Sequence, residues 1–153
     1  MFVLQFISQL IKVLRAGATP AQIAGGFMIG FMIGMMPFMT LQGVGLMAIM
    51  FLLNVNLAAA TFAMFISSFV AFLFDPLFHD LGFTLLTMPD LRDTWTALYN
   101  MPVAPLSRFN NTVSMGSFIA GLALAVPVFL LVRKGVISYR AGLEDKIKKW
   151  KIV

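Results

Sequence analysis

The sequence predicts an all-α integral membrane fold: a small helical bundle with two clear spans, a re-entrant helical hairpin over 20–53, and amphipathic interfacial helices at both ends. Three observations predict it. Of 153 residues, 60% are hydrophobic and 11% charged, and the mean hydropathy is +0.93, outside the range of ordinary soluble domains. No Asp, Glu, Lys, Arg or His stands between Arg15 and Asp75, so residues 16–74 are without an ionisable side chain. As one helix that stretch would be about 88 Å long against a hydrocarbon core of about 30 Å, so it crosses or re-enters a bilayer repeatedly. Lastly, the basic residues are polarised along the chain, with Lys12, Arg15, Arg133, Lys134, Arg140, Lys146, Lys148, Lys149 and Lys151 in the end segments and only Arg92 and Arg108 in the polar stretch between the expected spans.

In residues 1–16, Gln5, Ser8, Gln9, Lys12 and Arg15 recur at helical spacing among Phe2, Leu4, Phe6, Ile7, Leu10, Ile11 and Leu14, the pattern of a helix lying in the interface. No basic region precedes its apolar run, so it is read as retained rather than as a signal peptide. Thr19 before Pro20 supplies an N-cap and a first-turn proline for a helix over 20–36, which Pro37 stops. A second apolar helix over 41–53 spans only about 20 Å, too short for a full crossing. The unit 20–53 is therefore read as a re-entrant hairpin, with two short, tilted spans as the alternative.

Asn54 and Asn56 break the chain before a spanning helix over 57–74, which Asp75-Pro76 is expected to end. Four prolines mark 75–111 as an ordered loop with a short helix near 90–100. The second span covers 112–132, with Pro127 expected to kink it. In the basic tail 133–153, Val136, Tyr139, Leu143, Ile147 and Trp150 share one helical face opposite Arg140, Lys146, Lys148 and Lys149. Arg133, Lys134, Lys146, Lys148 and Lys149 are the expected contacts to anionic lipid. The basic asymmetry places both termini in the cytoplasm and the loop 75–111 outside.

Residues that could carry function are few. Gly26, Gly30 and Gly34 lie four apart on one helix, Ala59, Ala63, Ser67 and Ala71 form a second ridge of small residues, and Ser117, Gly121 and Ala125 a third. Such ridges let helices approach closely, within the chain as the plainer reading, or against a partner's transmembrane helix. Pro37, Thr40, Gln42, Asn54 and Asn56 could line a small lipid or polar pocket, or satisfy backbone groups where helices break. Asp75, Pro76, His79 and Asp80 are read as a cap at the periplasmic edge of the membrane. Asp75 and His79 have a helical i, i+4 spacing that could present two ligands, but a catalytic or metal site needs more polar groups than these. We therefore expect no catalytic residue, no metal and no cofactor. The chain has no cysteine, which excludes disulfides and thiolate chemistry. No interleaving of aromatic and basic residues points to nucleic acid. The 12 methionines and 16 phenylalanines suit lipid chains or partner helices.

The run Gly25-Gly26, Gly30, Gly34, Pro37, Gln42-Gly43, Asn56 and Asp75-Pro76 resembles an uncharacterised family of small bacterial membrane proteins, a domain of unknown function. In that family a Gly-rich helix, a Pro turn with Gly-Gln-type residues, an Asn and a late Asn-Pro recur. The resemblance covers about residues 20–80, and Asp75-Pro76 stands where the family has Asn-Pro. It implies a location in the bacterial inner membrane. In the branch it resembles, found in bacteria with outer membranes, it also implies a neighbour like the AsmA-like bridge proteins that move phospholipid to the outer membrane.

The function expected on that basis is a non-enzymatic subunit that anchors, or feeds lipid to, such a periplasm-spanning protein in outer-membrane biogenesis. Its partners are then membrane lipids and a large envelope protein with a transmembrane anchor. A small channel or transporter forming a homo-oligomer is the alternative, and the absence of charge over 16–74 counts against an ion path.

Overall fold

Helices dominate because nearly every break in the apolar sequence is a capping residue or a proline. The computed structural model of the chain describes residues 5, 8, 17–37 and 39–150, and among them it contains five α-helices, two short 3-10 turns and no strand. Apart from Gln5 and Ser8, the interfacial helix expected over 1–16, with Lys12 and Arg15, lies outside the described residues, as do Lys151 and the side chains of Lys148 and Lys149.

Helix α1, Pro20–Met35, starts on a reciprocal capping box: the Gln22 amide N–H donates to Thr19 Oγ1 at 3.2 Å, and the Thr19 N–H donates back to Gln22 Oε1 at 2.8 Å. Met36 is extended, as the residue before a proline must be. The turn passes through Met39, in the left-handed region with φ 64, and Thr40 Oγ1 caps α2, Leu41–Leu52, by accepting from Gly43 N–H. The chain then returns to where the hairpin began, for Asn56 N–H donates to the Gln22 carbonyl at 3.0 Å. Asn56 Oδ1 in turn accepts from Ala59 N–H at 2.8 Å and starts α3, Leu57–Leu86.

Helices α1 and α3 run parallel, since Gly26, Gly30 and Gly34 face Asn56, Ala60 and Met64 in equal four-residue steps. After the short α4, Arg92–Tyr99, helix α5, Thr112–Trp150, descends antiparallel to α3. Gly82 and Gly116 mark the crossing at one end, and Ile23, Ala59 and Val136 cluster at the other. Helix α1 is thus enclosed between α3 and α5 and buries ten of its 16 residues. Helix α2 buries only Gly43. Both α3 and α5 are long and apolar enough to cross a membrane, and only 28% and 22% of their most apolar 18-residue stretches are buried within the chain.

Two boundaries differ from expectation. Helix α3 does not end at Asp75-Pro76 but runs through Pro76 to Leu86, so Asp75 is a mid-helix residue and not an N-cap. Proline removes one hydrogen bond, to the carbonyl of Phe72. Buried Ala71 on one side of it and buried Phe78 and Gly82 on the other are held by the neighbouring helices, and that packing carries the helix across the gap. The second difference is at 133, where no separate tail helix begins: α5 continues through Pro127 and beyond. Val136, expected on a lipid surface, is 4% exposed and packs on Ile23 and Ala59.

Pro76→Ala restores the missing donor to a helix whose path is already set. Proline costs about 3 kcal/mol more than alanine in a helix interior, so this variant should raise the midpoint of thermal unfolding in detergent. A lowered midpoint would show that the packing around Phe78 depends on a bend only proline supplies.

Candidate functional site

The tip of the α1–α2 hairpin does not hang free. The first turn of α2 meets the 3-10 turn Ala104–Ser107, and the segment 87–111 folds over it as a cap. Trp95 fastens that cap, its indole Nε1–H donating to the Leu85 carbonyl at 3.1 Å and its ring lying 6.1 Å from that of Phe109. Asn111 Oδ1 accepts from Ser114 N–H at 3.0 Å and begins α5 beneath it.

Between hairpin tip, cap and α5 lies a cavity of about 390 Å³. Its walls are Leu41 and Gln42 of α2, Trp95 and Phe109 of the cap, and Ser114 and Phe118 of α5, with smaller apolar neighbours; no ionisable side chain lines it. Two polar atoms in those walls, Gln42 Oε1 and Ser114 Oγ, are buried without a hydrogen-bond partner, and Ser114 is 1% exposed. Buried polar groups are nearly always paired. With no general acid or base in its lining, the cavity offers apolar burial.

The small-residue ridges are intramolecular. A Cβ on Gly26 would meet the Asn56 backbone, one on Gly30 the Ala60 backbone, and one on Gly34 Ser67 Oγ and the Met64 carbonyl. Ala63, Ser67 and Ser117 are buried, and Gly121 sits against Met32 at ordinary contact distance. All seven residues expected at a helix-packing or partner interface therefore lie where α1, α3 and α5 meet each other.

Pro37, Thr40, Gln42, Asn54 and Asn56 do not form one pocket. The 12 residues of α2 hold the two ends about 18 Å apart. Pro37, Thr40 and Gln42 stand at the capped tip, with Thr40 1% exposed, while Asn56 caps α3 at the far end and Asn54 is exposed.

Asp75, Pro76, His79 and Asp80 lie along α3. His79 Nδ1 is 2.6 Å from Thr112 Oγ1, a side-chain link between α3 and α5 beside the glycine crossing. No group of three or more His, Cys, Asp or Glu gathers for a metal among the described residues. Arg133, Lys134 and Lys146 are exposed on α5. Arg140 donates to the Ala18 carbonyl at 2.8 Å, tying the end of α5 to the start of the bundle.

Sequence reasoning missed Ser114 and the Gly82–Gly116 crossing. Neither glycine belongs to a regular spacing, and Ser114 is one small polar residue at a helix start.

The chain matches the model of the DUF2062 family, described as an uncharacterized protein conserved in bacteria, over residues 4–142, well beyond the 20–80 of the sequence resemblance. It is similar to an uncharacterized protein of Treponema pallidum (strain Nichols), 30% identical over 138 residues that cover 90% of this chain and 85% of the relative. No solved structure matches it.

Proposed function

The chain belongs to the DUF2062 family of bacteria, and on that premise we propose that it is a non-enzymatic, multi-pass inner-membrane protein, with both termini cytoplasmic, that anchors or feeds lipid to a large AsmA-like protein spanning the periplasm. One observation carries the membrane half of this reading: the apolar outer faces of α2, α3 and α5. Phe51 and Leu52 on α2, Phe69, Phe72 and Leu73 on α3, and Val126 and Leu131 on α5 are all more than 60% exposed. Soluble monomers rarely expose apolar patches beyond a few hundred Å², and a core helix would be mostly buried.

The partner half draws on what the bundle leaves open. Its glycine grooves are filled by its own helices, so a partner's transmembrane anchor meets the exposed apolar face of α2, with Val44, Ile49 and Leu52. Exposed Arg133, Lys134 and Lys146 on the terminal part of α5 suit the anionic cytoplasmic leaflet. The capped cavity opens among apolar residues and suits lipid rather than ions.

Purification of the tagged chain in a mild detergent from its native membranes should recover one large envelope protein at fixed stoichiometry, and depletion of either chain should give the same envelope permeability defect. Recovery of a homo-oligomer alone, with ion or solute flux in vesicles, would replace this reading with the channel alternative.

A further inference from the structure

The register of α3 against α5 brings ionisable residues from opposite ends of the bundle unusually close together. Gly116 lies against the Phe78 carbonyl and Gly82 against that of Thr112, while at the other end Ala59 packs with Val136. Counting inward from the Ala59–Val136 contact, Arg133 stands level with about Phe62 of α3. Counting inward from the Phe78–Gly116 contact, Asp75 stands level with about Ile119 of α5. The stretch of α3 between Phe62 and Asp75 rises only about 20 Å.

Neither helix shows this by itself. Helix α3 has no ionisable residue from Leu57 to Phe74 and α5 none from Thr112 to Val132, runs of about 27 and 31 Å, each close to a hydrocarbon core of about 30 Å. Two such spans set flush would share that whole depth. The glycine crossing instead slides one past the other by about two helical turns, and the layer free of ionisable groups in both shrinks to about two-thirds of a bilayer. Helix α2 has the matching length, since its 12 residues rise about 18 Å.

Arg133 and Lys134 are exposed and Asp75 is half-exposed. Long basic side chains reach outward to the interface, but the short side chain of Asp75 cannot. An ionisable group held below the interface draws water and headgroups toward it and thins the bilayer locally, because leaving it in hydrocarbon costs more. A phospholipid headgroup crosses hydrocarbon slowly because it must shed its hydration, and thinning shortens that desolvated path.

Resting on the membrane reading above, and deepening its lipid-feeding role, we propose that the offset spans thin the bilayer beside the bundle and let phospholipids pass between the two leaflets there. The movement equilibrates the leaflets and needs no energy source.

The test places the full-length protein in sealed phosphatidylcholine vesicles with a trace of phospholipid labelled on its headgroup by a dithionite-sensitive fluorophore. Dithionite bleaches only the outer leaflet, so protein-free vesicles keep the inner half of the signal, whereas vesicles with the protein should lose all of it. Arg133→Leu combined with Lys134→Leu moves the next ionisable residue of α5 to Arg140 and widens the uncharged layer to about 30 Å. That variant should keep the inner half, while Arg133→Lys should still lose it all. Retention of the inner half by the unaltered protein would overturn the proposal, as would equally fast loss in the leucine variant. Complete bleaching with escape of a trapped dye would also overturn it, as a pore. Should the leucine variant misfold, the unaltered protein still decides, for its thermal midpoint should be higher in short-chain than in long-chain phosphatidylcholine, and no dependence on chain length would contradict thinning. A protein that stays with the vesicles through an alkaline wash yet moves no lipid removes this inference alone, whereas one that washes off removes the membrane reading as well.

Discussion

Gly30→Ala should unfold or deplete the protein although it adds a single methyl group. That carbon would be placed on the carbonyl oxygen, carbonyl carbon and Cα of Ala60. Those are backbone atoms of α3, with no rotamer to move them aside, so α1 and α3 must part along the whole row from Gly26 to Gly34. Overpacking costs about 1–3 kcal/mol where side chains can adjust, and here the upper end is expected because the atoms met belong to the backbone.

Gly30→Leu should be worse still, while Gly121→Leu should be milder, since the neighbour there is the flexible side chain of Met32 at 3.8 Å. Gly45→Ala and Gly135→Ala serve as references, for nothing lies within 4 Å of the added carbon, and helix propensity alone favours alanine by about 1 kcal/mol. Membrane level and thermal midpoint measure the effect. Because the groove is internal, the level of the Gly30→Leu protein and its recovery with a partner should fall together. Normal abundance with only the partner lost would put the groove at an intermolecular contact instead.

The second large effect belongs to the crossing of α3 and α5. Gly82→Ala would press its new carbon on the Thr112 carbonyl, and Gly116→Ala would press on the Phe78 carbonyl, so each glycine makes room for the other helix's backbone. Each substitution should lower the midpoint as Gly30→Ala does, by about 1–3 kcal/mol in stability. The double variant carries the sharper expectation. Both clashes are relieved by one outward shift of α5, so the double variant should cost clearly less than the sum of the two single ones. The same shift would break the contact between His79 and Thr112. Strictly additive losses would mean that the two glycines lie in separate contacts.

Much of the helical skeleton was legible because local chemistry sets it. Thr19-Pro20, Pro37 and Asn56 act within a turn of their own positions, and each stands at the boundary it predicts. Pro76 was misleading for the complementary reason: its missing donor is visible in the sequence, whereas the packing of Ala71, Phe78 and Gly82 that carries the helix past it exists only once α1 and α5 are in place. The Gly26, Gly30 and Gly34 groove could be seen from its period, though not what fills it. Gly82 and Gly116 have no period, and each becomes meaningful only opposite the other.

The candidate site was half legible. Gln42 drew notice as a polar residue beside a helix break, but grouping it with Asn54 and Asn56 treated nearness along the chain as nearness in space, which the length of α2 undoes. Ser114 and the aromatic residues of the cap reach the cavity from far along the sequence, and nothing local marks them.

The account rests on a chain that crosses the membrane with its cap outside. Reporters active on only one side of the inner membrane, inserted at Asn100 in the cap or fused before Met1 and after Val153, measure this directly. The Asn100 insertion should read periplasmic and both terminal fusions cytoplasmic, as the distribution of basic residues requires. A cytoplasmic Asn100, or termini on opposite sides, would contradict the account.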